Sequence, residues 1–507
     1  MSDNIAVKKI AKGAGVAFTG RVTNIGLQYL TQIALSWSLG ANFLGLYSLG
    51  IVIYKLGELV SRMGLEYGAT RYISIYYGAG NISKIKGVLL QTIGLSFLNG
   101  LLIGSALFIT SNSIADRIFG KPELAAVIRI LSIALPFGAS MTVGAFATVG
   151  FQIIIYKSYV LDLIVPLTNL VLAVLLCTVG LEVGGAATAW MIALVLGLAA
   201  TIHLIRRLFP AIARSSVKPT FEGRELFTFS LALVIGNFLW LVMLWTDTLM
   251  LGYFRSATEV GVYRIASQNS LLMYVFTSSL ISIFVPIIAD LHNKKEYKEL
   301  EQLFRTTVRW SFSSSLLLFS IVAVNSEEIL RIFGTEFVSG ALPLIVLATG
   351  QLIRAGSGGV ASHMLAMSGH QNLKLFGDIG GAIINVILNI LFIPRWGLMG
   401  AAIATLIGIS SLSILRMLQT YLVLGFQAYD WSYIKIITAG TIAVLIGFVL
   451  HSWLPSVHFM LSIFATTCAI SLAYFSMLWF IGIGEVDRVI FKNVSKKLGL
   501  FKKEKNN

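Results

Sequence analysis

Long apolar runs follow one another along nearly the whole chain, with short polar connections between them. The hydrocarbon core of a bilayer requires about 20 mostly apolar residues for each spanning helix, and we count fourteen such runs in the chain. The chain is therefore predicted to be an all-α polytopic membrane protein with 14 transmembrane helices. The predicted segments are 15–38, 43–62, 87–110, 125–150, 158–180, 184–205, 227–252, 260–285, 308–325, 341–366, 373–394, 398–424, 434–454 and 457–482.

The composition excludes a soluble globular protein. With 56% hydrophobic and 12% charged residues, the chain is far too apolar for one. Both cysteines, Cys177 and Cys468, lie inside apolar runs, which favours helix packing over a disulfide or a metal site. The first apolar run is too long for a signal peptide and lacks a small-x-small cleavage site, so we interpret it as an uncleaved first span.

Four short motifs recur in the same order at nearly the same spacing, which indicates an internal duplication. The pairs, at spacings of 214 to 216 positions, are Gly45-Leu46-Tyr47 with Gly261-Val262-Tyr263, Arg117-Ile118-Phe119-Gly120 with Arg331-Ile332-Phe333-Gly334, Asn169 with Asn385, and Gly185-Ala186-Ala187 with Gly400-Ala401-Ala402. Each copy holds six segments, and because six is even, both copies enter the membrane in the same direction. We therefore predict two parallel six-helix repeats, or lobes, around a central cavity, plus a C-terminal helical hairpin.

These patterns divide the chain into five predicted parts. They are an N-terminal lobe at 1–207, a cytoplasmic inter-lobe linker at 208–226, a C-terminal lobe at 227–424, an additional hairpin at 425–483 and a basic cytoplasmic tail at 484–507.

Lysine and arginine are distributed unevenly between the two sides of the predicted membrane. The N-terminus, the even-numbered connections and the C-terminus hold 27 of the 38, and the opposite connections hold 7. The positive-inside rule then places both termini in the cytoplasm of a multi-pass protein of the plasma or inner membrane. The net charge of +15 is explained by a basic face against anionic membrane lipid, rather than by nucleic-acid binding.

The chain lacks the motifs of energy-consuming or covalent enzymes. It contains no G-x-x-x-x-G-K-[ST] loop and no H-E-x-x-H motif, and no Ser/His/Asp arrangement has a soluble domain to hold it. We therefore expect a protein that is not an enzyme, has no cofactor and draws its energy from a gradient or a partner.

Four cationic residues lie on predicted spans, where charge is costly and tends to mark a substrate or ion pathway. They are Arg21, Lys55, Arg264 and Arg354. If the two copies face each other, these residues form a cationic cavity that attracts an anion. The alternative is that each forms an ion pair within the membrane, with Glu58, Asp162 or Asp378 as the acid. Arg416 is expected to extend to the membrane interface, and His363 is a weaker candidate for a proton relay.

The chain resembles the Wzx-type polysaccharide flippases of the multidrug/oligosaccharidyl-lipid/polysaccharide (MOP) exporter superfamily. The resemblance rests on the two six-helix repeats, the Gly-Val-Tyr and Arg-Ile-Phe-Gly motifs, and an Asn-x-x-x-Asn run that ends in Ile393-Pro394-Arg395-Trp396-Gly397 before Gly400-Ala401-Ala402. It implies transport of a polyprenyl-diphosphate-linked oligosaccharide from the inner to the outer leaflet by alternating access, for cell-surface polysaccharide biosynthesis. The implied partners are this lipid-linked oligosaccharide and the polysaccharide polymerase or glycosyltransferase machinery.

The resemblance also implies roles for the cationic residues. In lipid II flippases of the same superfamily, cationic residues on the first, second and eighth helices hold the diphosphate. Arg21, Lys55 and Arg264 occupy those helices here, with Arg354 as a fourth member of the predicted cavity.

A second group of residues is suited to a cation. Asp247 and Asn389 each lie about five residues before the same end of their segments, Asn385 is one turn from Asn389, and Thr405 follows at matching depth. Carboxylate, amide and hydroxyl oxygens suit Na⁺, and a similar sodium site occurs in lipid II flippases, with an acid at the position of Asn389. These four residues are the candidate Na⁺ site, and coupling to Na⁺ or H⁺ is expected. The alternative is that the amides pack helices together and Asp247 pairs with Arg264.

Two other functions remain open from the sequence. A multidrug exporter coupled to H⁺ or Na⁺ belongs to the same superfamily, but cationic drugs require acids in the cavity, and segment one carries Arg21 and no acid. A non-transporting scaffold of a glycan-assembly complex has no reason to keep ionisable groups at bilayer depth.

Overall fold

The computed structural model describes residues 2–454 and 458–481, and within these residues every regular element is a helix. The α-helices are α1 (Ser2–Arg62), α2 (Leu65–Gly78), α3 (Ile82–Ser113), α4 (Leu124–Gly150), α5 (Ile154–Ser158), α6 (Val165–Thr178), α7 (Glu182–Leu208), α8 (Arg224–Phe254), α9 (Ala257–Asn293), α10 (Tyr297–Val324), α11 (Ser326–Arg331), α12 (Ala341–Gly356), α13 (Gly358–Met367), α14 (Gln371–Leu424), α15 (Ser432–Trp453) and α16 (Phe459–Ile481). Short π-helices at Ile114–Ile118 and Tyr159–Ile164 and 3₁₀ helices at Pro210–Ala213 and Thr335–Gly340 complete the description. The predicted basic tail at 484–507 lies outside the described residues.

Two of the helices are pairs of spans joined at one glycine. Gly40 interrupts α1 with φ 66°, and Gly397 interrupts α14 with φ 55°. This left-handed region is costly for residues with a Cβ atom and accessible to glycine. A single residue can therefore reverse the chain between the first two predicted segments and again between the eleventh and twelfth.

The spans agree with the predicted fold class. Eleven helices in the described residues are long and apolar enough to cross a membrane. Dividing α1 and α14 at their glycines, and including α8 at the predicted segment 227–252, accounts for all fourteen predicted segments. The prediction of an all-helical polytopic membrane protein is confirmed.

The chain forms two compact units. Unit 1 contains Met1–Ala266, Leu330–Gly340 and Ala382–Ala404, and unit 2 contains Ser267–Ile329, Ala341–Gly381 and Thr405–Asn507. The units group residues by proximity, which does not test an internal repeat, so the predicted lobe boundaries stay a prediction.

Close helix packing within unit 1 depends on glycines. A Cβ atom added to Gly100 of α3 would lie 2.6 Å from the Pro136 Cα atom of α4, and one added to Gly104 would meet the Ser132 carbonyl oxygen. Small residues allow membrane helices to approach this closely, as the spacing of these two glycines suggests.

The predicted inter-lobe linker lies along the start of α3. Lys84 forms a 2.8 Å salt bridge with Glu222, Lys86 donates to the Arg214 carbonyl oxygen at 2.7 Å, and the Thr220 amide donates to the Ser83 carbonyl oxygen at 3.1 Å. The hydrogen bond from Lys84 is the main factor that holds the pKa of Glu222 below its usual range. The linker is thus fastened to unit 1 along its length.

Candidate functional site

A buried polar cluster in unit 1 brings together three of the four residues of the predicted cation site. The Asn389 amide nitrogen donates to Asp247 Oδ1 at 2.6 Å and to Asn385 Oδ1 at 3.1 Å. The Tyr263 hydroxyl donates to Asp247 Oδ2 at 2.8 Å. Asn389 is fully buried, and the other three are at most 5% exposed. Buried polar groups need such partners, so the cluster is a buried hydrogen-bonded network around one carboxylate.

Tyr263 was not assigned a role from the sequence, although it is part of the repeated Gly-Val-Tyr motif. It lies one residue before Arg264 in α9. Thr405, the fourth predicted residue of the cation site, belongs to unit 2, and its membership of this cluster stays a prediction.

The oxygen atoms of this cluster suit a sodium ion in one of the two orientations of the Asn389 amide. In the described orientation, the Asn389 nitrogen occupies the space between two acceptor oxygens, and the Asn389 Oδ1 atom is buried without a hydrogen-bond partner. Rotating the amide by half a turn exchanges its oxygen and nitrogen. The oxygens of Asp247, Asn385 and Asn389 would then face one another, as hard-oxygen ligands with one negative charge.

Arg264 lies against an aromatic ring. Its guanidinium carbon is 4.5 Å from the centre of the Trp245 ring, and Trp245 packs with Val52 and Leu59 of α1. An aromatic face attracts a cation but does not neutralise its charge. The pairing of Asp247 with Arg264 that the sequence left open stays a prediction, and the described hydrogen-bond donors to Asp247 are Tyr263 and Asn389.

Lys55 has an acidic partner in this structure. Its ammonium group forms a 2.9 Å salt bridge with Glu58, one turn further along α1, and Glu58 also accepts a 3.0 Å hydrogen bond from Thr142. The Lys55 side chain is 33% exposed, whereas that of Glu58 is 5% exposed. The ion pair that the sequence left open as an alternative for Lys55 is therefore present.

Arg21 is exposed, and among the described residues it has no acidic partner. Asp162, one of the acids considered for it, instead accepts a 3.1 Å hydrogen bond from the Asn24 amide. Arg21, Lys55 and Arg264 thus have different neighbours within unit 1, while Arg354 belongs to unit 2. Their joint lining of one cavity remains a prediction.

In unit 2, basic side chains gather around one acid. Lys374 and Arg416 both form salt bridges with Asp378. Arg416, which the sequence suggested would extend to the membrane interface, has a side chain only 11% exposed, because this acid holds it inside. The Arg354 guanidinium lies 4.2 Å from the centre of the Tyr274 ring.

Contacts at one end of unit 1 join residues of the first predicted lobe to residues of the second. We call them the closing contacts: Trp37 donates to the Ile332 carbonyl oxygen (2.7 Å), the Ala41 amide donates to Glu336 (2.8 Å), Lys121 donates to the carbonyl oxygens of Gly252 (2.6 Å) and Arg255 (2.8 Å), and Gly45 packs against Gly261.

The glycine contact is reciprocal. A Cβ atom on Gly45 would overlap the Ala257 carbonyl oxygen, and one on Gly261 would overlap the Ala41 carbonyl oxygen. Ala41 and Ala257, like the two glycines, are 216 positions apart. Such an exchange of equivalent partners is expected where a two-fold axis relates two copies of a repeat.

Comparisons with known proteins identify related families and relatives. The polysaccharide biosynthesis protein family matches residues 10–292, and the MatE family matches residues 232–391. The chain is 23% identical over 443 residues to the probable low-salt glycan biosynthesis flippase Agl15 of Haloferax volcanii, which covers 87% of this chain and 90% of that protein.

Solved structures share the fold. The lipid II flippase MurJ in an inward closed conformation matches with a TM-score of 0.69 at 16% identity, covering 93% of this chain and 98% of MurJ. A multidrug resistance MATE family transporter of the MOP superfamily, in an inward-facing conformation, matches with a TM-score of 0.63 at 17% identity, covering 80% of this chain and 94% of the transporter.

Proposed function

The chain belongs to the polysaccharide biosynthesis protein family, and from this premise we propose that it is a flippase that moves a polyprenyl-diphosphate-linked oligosaccharide from the inner to the outer leaflet. The similarity to a probable glycan biosynthesis flippase over 87% of the chain supports this class of substrate. The inner-to-outer direction is the one that the resemblance to polysaccharide flippases implies.

The observation that carries the proposal is the state of the arginines on predicted spans. Arg264 and Arg354 lie against aromatic rings, and Arg21 is exposed. Among the described residues, no salt bridge neutralises any of these three. Positive charge at bilayer depth is costly without a counter-charge, and a substrate diphosphate supplies one. The polyprenyl tail can stay in lipid while the protein shields the polar part.

Alternating access requires the closing contacts to break. In the predicted orientation they lie at the outer ends of the spans, so they close the cavity toward the outside. None of them is a salt bridge: carbonyl oxygens accept from Trp37 and Lys121, and Glu336 accepts from a backbone amide. Hydrogen bonds of this kind contribute about 0.5–3 kcal/mol each, a range that lets a bound ligand shift the balance between two states.

Coupling to an ion is the proposed energy source. Asp247, Asn385, Asn389 and Thr405 are the residues that would hold Na⁺, and the bound ion would supply a positive charge to the Asp247 carboxylate. Proton uptake by Asp247 is the alternative. In either case Asp247 would give up the hydrogen bond that it accepts from the Asn389 amide.

A flipping assay in vesicles tests the proposal. Purified protein is reconstituted with a fluorescent polyprenyl-diphosphate oligosaccharide, and dithionite quenching reports how much of the probe reaches each leaflet. Arg264→Ala is expected to slow flipping roughly tenfold, since a hydrogen bond to a charged group contributes about 1.5–3 kcal/mol. Arg305→Ala is the matched control, because Arg305 forms an exposed salt bridge with Glu301. Unchanged flipping by Arg264→Ala contradicts the diphosphate role.

A multidrug exporter is the second candidate, and the MatE match over residues 232–391 favours it. For a cationic drug, the critical group would be the buried carboxylate of Asp247, and Arg264 would be dispensable. Vesicles that export ethidium, lose this activity in Asp247→Ala and keep it in Arg264→Ala would establish the exporter. A flippase gives the opposite dependence on Arg264.

A further inference from the structure

We infer that Lys374 and Arg416, which both pair with Asp378, and Arg354, which lies within electrostatic reach of Arg416, form a subsite in unit 2 for a phosphate or diphosphate ester. We call these four residues the unit 2 subsite. The inference rests on the proposed function, because the diphosphate of a lipid-linked substrate is the ligand that it assigns to these residues.

The fold brings the four residues together from three helical stretches. Lys374 and Asp378 are one turn apart near the start of α14, so their 2.9 Å salt bridge is local. Arg416 reaches the same carboxylate from the second half of α14, after the reversal at Gly397. Arg354 lies in the last turn of α12, directly before the break at Ser357, and within electrostatic reach of Arg416.

The charges of this group do not balance. Two cations, Lys374 and Arg416, share the Asp378 carboxylate, and the Arg354 guanidinium is within electrostatic reach of Arg416. His363 lies within electrostatic reach of all three cations. One carboxylate balances one of these positive charges and leaves the others without a counter-charge in the group. Excess charge inside a membrane protein is strongly unfavourable unless a counter-charge is present, so the arrangement points to an anion that the chain itself does not supply.

The group also has an unused donor and an open side. The Nε atom of Arg416 is buried without a hydrogen-bond partner, although a guanidinium normally uses its donors in pairs. The Lys374 side chain is 34% exposed, compared with 11% for Arg416. A ligand can therefore approach past Lys374 and reach a guanidinium that has a donor available.

A phosphate group fits these donors better than other anions. A planar guanidinium matches two phosphate oxygens, and an ammonium group adds a point charge. In the described state, the Asp378 carboxylate occupies the place of that anion and holds Lys374 and Arg416. The incoming phosphate would displace Asp378 from both cations, which makes this acid a competitor of the ligand.

Binding of farnesyl diphosphate to the purified full-length chain in detergent tests the subsite by microscale thermophoresis. Arg416→Gln is expected to weaken binding roughly tenfold, about 1.4 kcal/mol. Arg416→Lys, which keeps the charge, should lose less. Asp378→Asn should strengthen binding several-fold, because it removes the competing carboxylate. Arg305→Gln, at an exposed salt bridge of the same unit, is the control and should change binding by less than twofold.

The response to Asp378→Asn separates a ligand site from a structural ion pair, because a structural role predicts weaker binding or none. Weaker binding in Asp378→Asn, or unchanged binding in Arg416→Gln, overturns the inference. If Arg416→Gln does not fold, Arg416→Lys and Asp378→Asn decide the outcome.

Two further arms identify the source of the phosphate. If phosphatidylglycerol micelles bind more tightly than farnesyl diphosphate, the ligand of the subsite is a membrane lipid and the substrate assignment is overturned. Inorganic pyrophosphate that competes with farnesyl diphosphate supports it. A wild-type protein that binds as described but does not flip the probe in vesicles contradicts the proposed function and leaves the subsite standing.

Discussion

Asp162 and Asp378 are 216 positions apart, the spacing of the predicted internal repeat, yet their surroundings differ in charge. Asp162 accepts a hydrogen bond from the neutral Asn24 amide, and Lys157 lies within electrostatic reach without forming a salt bridge. Asp378 holds both Lys374 and Arg416. Asp162, in the first predicted copy, therefore lies in a nearly neutral group, whereas Asp378, at the corresponding position of the second, lies in a cationic group.

The difference comes from the partners rather than from the acids. Ser158 occupies the first-copy position of Lys374, and Thr201 that of Arg416, which is 215 positions later. Likewise Thr31 stands where the second copy has Asp247, and Ala173 where it has Asn389. If the chain is an internal duplication, as its motifs predict, the acid and amide of the candidate cation site and the basic partners of Asp378 are present in the second copy and absent from the first.

Removing each acid should give the largest contrast between the copies. Asp378→Ala leaves two partly buried cations without their acid and is expected to lower the free energy of unfolding by about 3–5 kcal/mol. Asp162→Ala leaves one amide unsatisfied, at about 1–3 kcal/mol. Thermal unfolding of the purified protein measures both. Pyrophosphate should restore part of the lost stability in Asp378→Ala but not in Asp162→Ala. Equal restoration in both variants would contradict the difference in charge between the two sites.

The second contrast concerns Asp247 and its first-copy counterpart Thr31. Asp247→Ala removes the carboxylate that accepts from the Tyr263 hydroxyl and from the Asn389 amide, and the loss of these two hydrogen bonds is expected to cost about 3 kcal/mol. It should also abolish any dependence of flipping on Na⁺. Thr31 donates only to the Leu27 carbonyl oxygen of its own helix, so Thr31→Ala should cost less than about 1 kcal/mol. Flipping that keeps its Na⁺ dependence in Asp247→Ala argues against the cation site.

No difference between the two predicted copies is expected at the contact of Gly45 with Gly261, because the two glycines occupy equivalent positions. Gly45→Ala and Gly261→Ala each introduce a Cβ atom against a carbonyl oxygen, and each should destabilise the closed end by about 2 kcal/mol. Labelling of an Asn42→Cys reporter in a cysteine-free background measures the opening. Gly94→Ala is the control, since an added Cβ atom there meets nothing within 4 Å. Unequal effects of the first two substitutions would show that the contact is not shared symmetrically.

Much of the fold could be predicted because bilayer physics acts on local sequence. Each span needs its own apolar run, so segment number and helical class follow from composition along the chain. Pairs one helical turn apart, such as Lys374 with Asp378 and Asn385 with Asn389, could also be read from spacing. The resemblance and the similar predicted depth of Asp247 and Asn389 predicted that these two residues, 142 positions apart, lie together. Tyr263 was not predicted, because a tyrosine in an apolar run carries no charge signal.

The amino-acid sequence by itself determined the membrane class, the spans and the repeated motifs, because each depends on residues near one another in the chain. Tertiary structure alone decided which charges meet. Arg416 was expected at the membrane interface, and only the reversal at Gly397 brings it to Asp378. Asp162 was a candidate partner for a cation, but helix packing places it beside Asn24, from which it accepts a hydrogen bond. Long side chains on spans have several acids within reach, and the choice among them depends on how the helices pack against one another.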